Sequence, residues 1–160
     1  MNPVSRFKSN VTNTKLPWET EGGKSVMEVG SVEAWAFGNE NTKFMKLWSK
    51  GYPKEAICVH FDKVSNRVLV GLDDGVIDVI HVSPNGYEDV VCVKAHQAKV
   101  VGLAYDALSN VAYSVSQDKV FRVSHGSSLA LIVGVPHKEA IFSMLRDTLN
   151  KRIFFGTKNG

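Results

Sequence analysis

The sequence predicts an all-β chain, and three observations predict it. Twelve apolar runs of about 5–8 residues, rich in Val, Ile, Phe and Tyr, follow one another from Val32 onward, and many alternate in polarity. Turn signals separate them, among them Ser65-Asn66, Asp73-Asp74-Gly75, Pro84-Asn85-Gly86, Ser109-Asn110, Gln117-Asp118-Lys119 and Asn150-Lys151. No window holds a convincing period of 3.6 residues.

The runs fall in order along the chain. VEAWAFG and TKFMKLW come first, and SVMEVG ahead of them is expected to add a third strand. AICVHFD, RVLVGL, VIDVIHV and DVVCVKA form a second group over residues 56–95. KVVGLAYD, VAYSVS, VFRVS and LALIVGV form a third over residues 98–135. IFSMLRD and RIFFGT begin a fourth at Ala140. Within the second group, Asp74-Gly75 predicts a tight hairpin, because Gly supplies the positive φ that such turns need. Residues 1–30 differ from the rest. They are rich in Ser, Thr, Asn and Lys, carry Pro3 and Pro17 and include Gly22-Gly23, so an extended polar arm is expected before a folded segment over 31–160.

The groups repeat. An Asp follows the first strand of each of the last three, at Asp62, Asp106 and Asp147, with separations of 44 and 41 residues. Ala95-His96 and Pro136-His137 recur 41 residues apart. Four short strands in a period of the low forties are the signature of one blade of a β-propeller.

The repeated segments resemble the WD repeat. That resemblance implies that a His before the innermost strand and an Asp in the turn between the second and third strands tie a blade together. The matching residues are His96 with Asp118, and His137 in the next copy. Ser114 and Ser116 stand on the second strand, where such repeats carry Ser or Thr. The namesake Trp-Asp is missing: Ser124-His125 and Ile80-His81 replace it, and only the first copy keeps a Trp, at Trp48. Over about residues 33–160, the GLDDGVI, KAHQAKVV and YSVSQDKVF segments are similar to the amino-terminal propeller of WD-repeat proteins that carry a FYVE zinc finger. The finger has no counterpart here, because there is no run of paired Cys.

Propellers close with roughly 4–8 blades, and the runs supply about three and a half. The expectation is therefore a partial, open WD-type β-propeller of about three to four blades with an extended N-terminal arm. Three accounts of the shortfall stay open. The chain is a piece of a longer protein, or a second copy or another protein completes it, or it folds as an unusual closed barrel or sandwich. The stop at Asn159-Gly160 favours the first two.

Composition narrows the function classes. The 160 residues are 44% apolar and 22% charged, as expected of a globular chain with a core. No apolar run approaches the roughly 18–20 residues of a membrane-spanning helix. The opening MNPVSRFKSN has no apolar region behind it, so a cytoplasmic or nuclear chain is the expectation. The net charge of +3 is spread thinly, and no nucleic-acid partner is expected without clustered cations. Cys58 and Cys92 lack zinc-ligand spacing and read as buried, reduced thiols.

The five histidines show no nucleophile elbow and no HExxH pattern, and no phosphate-cradling glycine loop occurs. Asp73-Asp74-Gly75 lacks the calcium-loop spacing. No catalytic, metal or cofactor residue is assigned, and no enzymatic activity is expected. The candidate residues are of two other kinds. His96, Asp118, Ser114, His137, Asp74 and Trp48 are expected to be structural, and Trp35 is expected to pack in the core or between blades. Trp18, Tyr52, Tyr87 and Arg146, with Pro53, Glu88, Lys99 and Lys158, are expected at contacts with other proteins. The function expected is a scaffold or adaptor for protein–protein interactions. The alternative is a membrane-associated propeller that reads a lipid head group, for which Lys151-Arg152 is the one approximate basic pair.

Overall fold

The computed structural model describes residues 29–37, 44–83 and 86–158. Twelve strands and no helix occur among these residues. β1 (Gly30–Phe37) and β2 (Phe44–Tyr52) form a two-stranded sheet. β3 (Ala56–Asp62), β4 (Arg67–Leu72), β5 (Val76–Ser83) and β6 (Gly86–Lys94) form a four-stranded sheet in that order. β7 (Val100–Asp106), β8 (Val111–Ser116), β9 (Val120–His125) and β10 (Leu131–Pro136) form a second. β11 (Ile141–Asp147) and β12 (Arg152–Thr157) make the last, two-stranded sheet. Every pairing is antiparallel and joins strands adjacent in sequence. The sheets are open, blade-like units, and the expected all-β, partial-propeller architecture is what forms.

Each expected run from VEAWAFG to RIFFGT becomes a strand. The first sheet has two strands among the described residues. Most of the SVMEVG run, the polar arm and Trp18 lie outside them.

The repeated Asp explains why the hairpins after β3, β7 and β11 form where they do. The Asp62 carboxylate accepts bonds from the Ser65 amide at 2.7 Å and the Ser65 hydroxyl at 2.6 Å. Asp106 receives the Leu108 and Ser109 amides at 3.2 and 3.4 Å. Asp147 receives those of Leu149 and Asn150 at 3.1 and 3.2 Å. The carboxylate thus satisfies backbone donors that the turn would leave unpaired. Asn66, Asn110 and Lys151 then take left-handed backbone at φ 52°, 50° and 54°, which Asn tolerates well and Lys poorly. The Asp74-Gly75 hairpin forms as expected, with Gly75 at φ 93° and the Val76 amide on the Asp74 carboxylate at 3.1 Å.

The sheets stack face to face, with β3, β7 and β11 side by side at the inner edge. One core lies between the two four-stranded sheets, built on Leu69, Ile77, Val79, Val100, Leu103 and Tyr105. A second lies between β1–β2 and β3–β6, built on Tyr52, Val68, Val70, Leu72 and Ile80. Sheets come closest where a side chain is missing. A Cβ on Gly71 would stand 2.7 Å from Val100 Cγ1, and one on Gly102 would stand 2.7 Å from Met144 Cβ in the next sheet.

Gly102→Ala should therefore destabilise the fold by about 1–3 kcal/mol, the usual cost of overpacking. Urea unfolding should show it as a lower midpoint with an unchanged slope, because the surface exposed on unfolding is the same.

Candidate functional site

Two features stand out from the packed faces: a set of polar ties between sheets, and a rim of turns around a cavity. The structure brings His96, Asp118 and Ser114 together. His96, on the connection from β6 to β7, is fully buried. Its Nδ1 lies 2.9 Å from Asp118 Oδ2 and its Nε2 lies 2.9 Å from Ser114 Oγ. A carboxylate only accepts, so Nδ1 carries the proton and Nε2 accepts from the Ser114 hydroxyl. Asp118 also receives the amides of Gln97 and Val120 at 2.9 and 3.0 Å. Ser116 donates to the Ala98 carbonyl at 2.9 Å and accepts from the Asp118 amide at 3.1 Å. The connection, the β8–β9 turn and β8 are thereby bound as one unit. Burial lowers the His96 pKa, and the nearby Asp118 only partly offsets it, so the neutral ring is favoured. Burial opposes the charged form of Asp118, yet the Gln97 amide and His96 hold its pKa below the ordinary carboxylate value.

His137 does not repeat this arrangement. It is exposed, and its Nδ1 accepts the Glu139 amide at 3.2 Å. The reason lies on β12: Phe155 pairs with Met144 as Ser114 pairs with Leu103, so no hydroxyl waits at the matching place.

The expected contact residues lie at different depths. Tyr52 is fully buried and donates its hydroxyl to Asp78 at 2.8 Å. Tyr87 is half-buried and packs its ring 5.1 Å from that of Trp48, which does serve inter-sheet packing. Arg146 is half-buried, with Nη2 2.7 Å from Asp106 Oδ2, Nη1 3.1 Å from the Tyr105 carbonyl and its guanidinium over the Tyr113 ring. Trp35, on the open face of the first sheet, is 49% exposed and donates to Glu33 at 3.0 Å. Alternation shows which residues share a face but not which face meets another sheet. Pro53 is half-buried, while Glu88, Lys99 and Lys158 are exposed. Cys58 and Cys92 are free and half-buried, and burial pushes both thiols up to about 12. Among the described residues, no group of His, Cys, Asp and Glu is placed to hold a metal ion.

Sequence reasoning missed a second polar tie. Lys50 is 3% exposed and lies 2.6 Å from Asp78, whose side chain is wholly buried, and it also contacts Asp89. Burial opposes the ammonium, but Asp78 and Asp89 outweigh it and raise the Lys50 pKa above the ordinary lysine value. The other Asp78 oxygen, Oδ1, has no hydrogen-bond partner. An Asp at the centre of the apolar VIDVIHV run was the available signal.

The rim was missed as well. Val64, Leu108 and Leu149 stand at the same place in the three Asp-held turns and are 65%, 93% and 94% exposed. Beside the turns, a cavity of about 480 Å³ opens between β3, β7 and β11, lined by His60, Asp62, Tyr105, Asp106, Met144 and Arg146 among others. Burial lowers the His60 pKa, against the pull of Asp62.

His96→Ala and Asp118→Ala should each cost about 1–3 kcal/mol, as the loss of a buried hydrogen-bond partner does. A double-mutant cycle should return a non-zero coupling energy; strict additivity would show that the two do not interact. Stability should also depend on pH. The folded His96 and His60 bind protons less readily than unfolded imidazoles of pKa about 6.5. The unfolded chain therefore takes up protons first, and stability present above pH ~6.5 is lost as pH falls below it. The melting temperature should be level from pH 8 to 7 and drop toward pH 5.5, and His96→Asn should flatten part of that slope.

No protein-family model matches the chain. It is 27% identical over 144 residues to WD repeat and FYVE domain-containing protein 2 of Mus musculus, covering 88% of this chain and 35% of that protein. It is 28% identical over 147 residues to the Homo sapiens protein of the same name, with the same two coverages. The chain thus spans about a third of the length of the curated relatives it matches. Among solved structures it is similar to the computationally designed Ika4 protein, with a TM-score of 0.64 and 20% identity over 82% of this chain and 76% of that one. It is also similar to the designed Ika8 protein, with a TM-score of 0.58 and 21% identity over 69% of this chain and 32% of that one. The chain is weakly similar to WD-repeat proteins over most of its length, and its open, blade-like sheets have the architecture of a partial WD-type β-propeller.

Proposed function

We propose that the chain is a non-catalytic scaffold, an adaptor that engages another protein through the rim of turns after β3, β7 and β11. One observation carries this reading: Val64, Leu108 and Leu149 are held out to solvent at one repeated position by Asp62, Asp106 and Asp147. Single exposed aliphatic side chains are ordinary on a protein surface. Three at equivalent positions in successive sheets, on carboxylate-pinned turns beside a 480 Å³ cavity, form a preorganised apolar surface. Pinning lowers the entropy lost on binding, and the sheets beneath supply a rigid platform. Weak similarity to WD-repeat proteins supports an interaction role at the level of the family. A cytoplasmic setting, protein partners and the absence of an enzymatic reaction belong to the same reading.

The membrane reading rests on Lys151 and Arg152, which are both exposed at the start of β12. Peptide selection on residues 1–160, followed by vesicle sedimentation, separates the two. Enriched peptides should be apolar, and Leu108→Glu and Leu149→Glu should each weaken their binding at least tenfold. Lys99→Ala should leave it unchanged. Binding indifferent to the two rim charges would defeat the rim proposal. Sedimentation with phosphoinositide vesicles that is lost in a Lys151→Ala/Arg152→Ala variant would put the lipid adaptor in its place.

A further inference from the structure

The charges at the rim are sorted by depth. Residues 62–67, 106–111 and 147–152 make the three Asp-held turns, and every exposed charge among them is a cation: Lys63, Lys151 and Arg152. None of the three forms an ion pair among the described residues. The acids of the same turns are engaged within the fold. Asp62 accepts from the Ser65 hydroxyl, Asp147 from the Leu149 amide and the Asn150 side chain, and Asp106 from the Ser109 hydroxyl and from Arg146 at 2.7 Å.

Between the turns, the cavity is apolar and balanced in charge. Lys63, Val64 and Leu108 line it from the turns, and Phe61, Met144 and Leu145 line it from β3 and β11. Its ion pair of Asp106 with Arg146 cancels, and burial disfavours the charged form of His60. At about 480 Å³ it is large enough to take one bulky apolar side chain.

Lys151 is held where the fold prefers another residue. It stands at φ 54°, the turn position that Asn66 and Asn110 fill at 52° and 50°. Asn takes left-handed backbone at little cost, whereas Lys does so against its preference. A cation retained at a strained position is explained by a use outside the fold.

We propose that the partner seated on this rim is an acidic protein segment that carries one bulky apolar side chain. That side chain enters the cavity between Val64, Leu108 and Leu145, and carboxylates flanking it meet Lys63 and Lys151. The proposal rests on the rim reading above and adds the chemistry of the partner. Apolar burial holds such a complex, while opposite charge speeds the encounter and rejects basic segments. A neutral apolar segment would leave the exposed cations without a counter-charge. An inositol phosphate head group would meet the cations but bring nothing apolar for the cavity.

Peptides selected on residues 1–160 should be enriched in Asp and Glu around one Leu, Ile, Phe or Trp. Replacing every Asp and Glu of a selected peptide by Asn and Gln should weaken its binding about tenfold. Raising salt from about 50 to about 500 mM should weaken the acidic peptide to a similar extent, because screening acts on exposed charges. Lys63→Glu should weaken the acidic peptide about tenfold and leave its neutral version within about twofold. Lys99→Glu, on the β6–β7 connection, should change neither. Lys151→Asn reads fold and binding with opposite signs. It should raise the melting temperature, because Asn accepts this backbone, and yet weaken the acidic peptide about threefold. A Lys151→Asn variant that melts lower, or that binds the acidic peptide unchanged, would overturn the proposal. Selected peptides without acids, or binding that survives neutralisation and salt, would overturn the acidic partner and leave the rim scaffold standing. No selected peptide at all would overturn both, whether or not phosphoinositide vesicles sediment the chain.

Discussion

A sheet with two apolar faces has to be covered twice, and that constraint governs the rest of this structure. β4 shows it in six residues. Val68, Val70 and Leu72 go to the core against β1–β2, while Leu69 goes to the core against β7–β10. An apolar run without alternation is what a strand buried on both faces requires. Full burial of each such side chain stabilises by roughly 1.5–3 kcal/mol, so the stack gains most where sheets approach most closely. Gly71 and Gly102 stand at those approaches, where any Cβ would meet the next sheet.

Stacking of this kind fixes distance but not registration, because apolar contact has little direction. Polar ties supply the direction, and two of the three junctions show how different their chemistry is. Between β3–β6 and β7–β10, His96 is satisfied at both nitrogens while remaining neutral. Between β1–β2 and β3–β6, Lys50 and Asp78 meet as buried ions, with Tyr52 as an added donor. A buried ion pair recovers its desolvation cost only with good geometry and further hydrogen bonds. Asp78 falls short at one oxygen, so this junction depends more on directional specificity than on net stabilisation.

Structure and proposed role meet in the hairpins. The same Asp that closes each turn also fixes where its aliphatic tip points, so rigidity in the fold becomes preorganisation at the rim. Arg146 links the rim to the frame. It spans from β11 to Asp106 and to the Tyr105 carbonyl on β7, and its guanidinium lies over Tyr113 on β8. The Tyr113, Phe121 and Phe155 rings then continue the contact toward β12, with centroids 6.3 and 5.2 Å apart. A long polar side chain thus does packing work through its stem and its planar head.

The local code carried most of the fold. Strand runs, the Asp62, Asp106 and Asp147 turns and the Asp74-Gly75 hairpin were legible because each depends on neighbours within a few residues. The repeat made His96, Asp118 and Ser114 legible as a set, since equal spacing implies equal placement. His137 shows the limit of that inference: its spacing matches, but Phe155, 41 residues after Ser114, stands where a hydroxyl is needed. Lys50 with Asp78, the burial of Tyr52 and the exposure of Trp35 lay beyond the sequence for a related reason. Each depends on which sheet face meets which other face, a contact between residues as many as 28 positions apart. The sequence by itself determined the strands, the turns and the period. Only the tertiary structure decided which apolar faces are covered and which stay open, because coverage is a property of neighbouring sheets and not of any one strand.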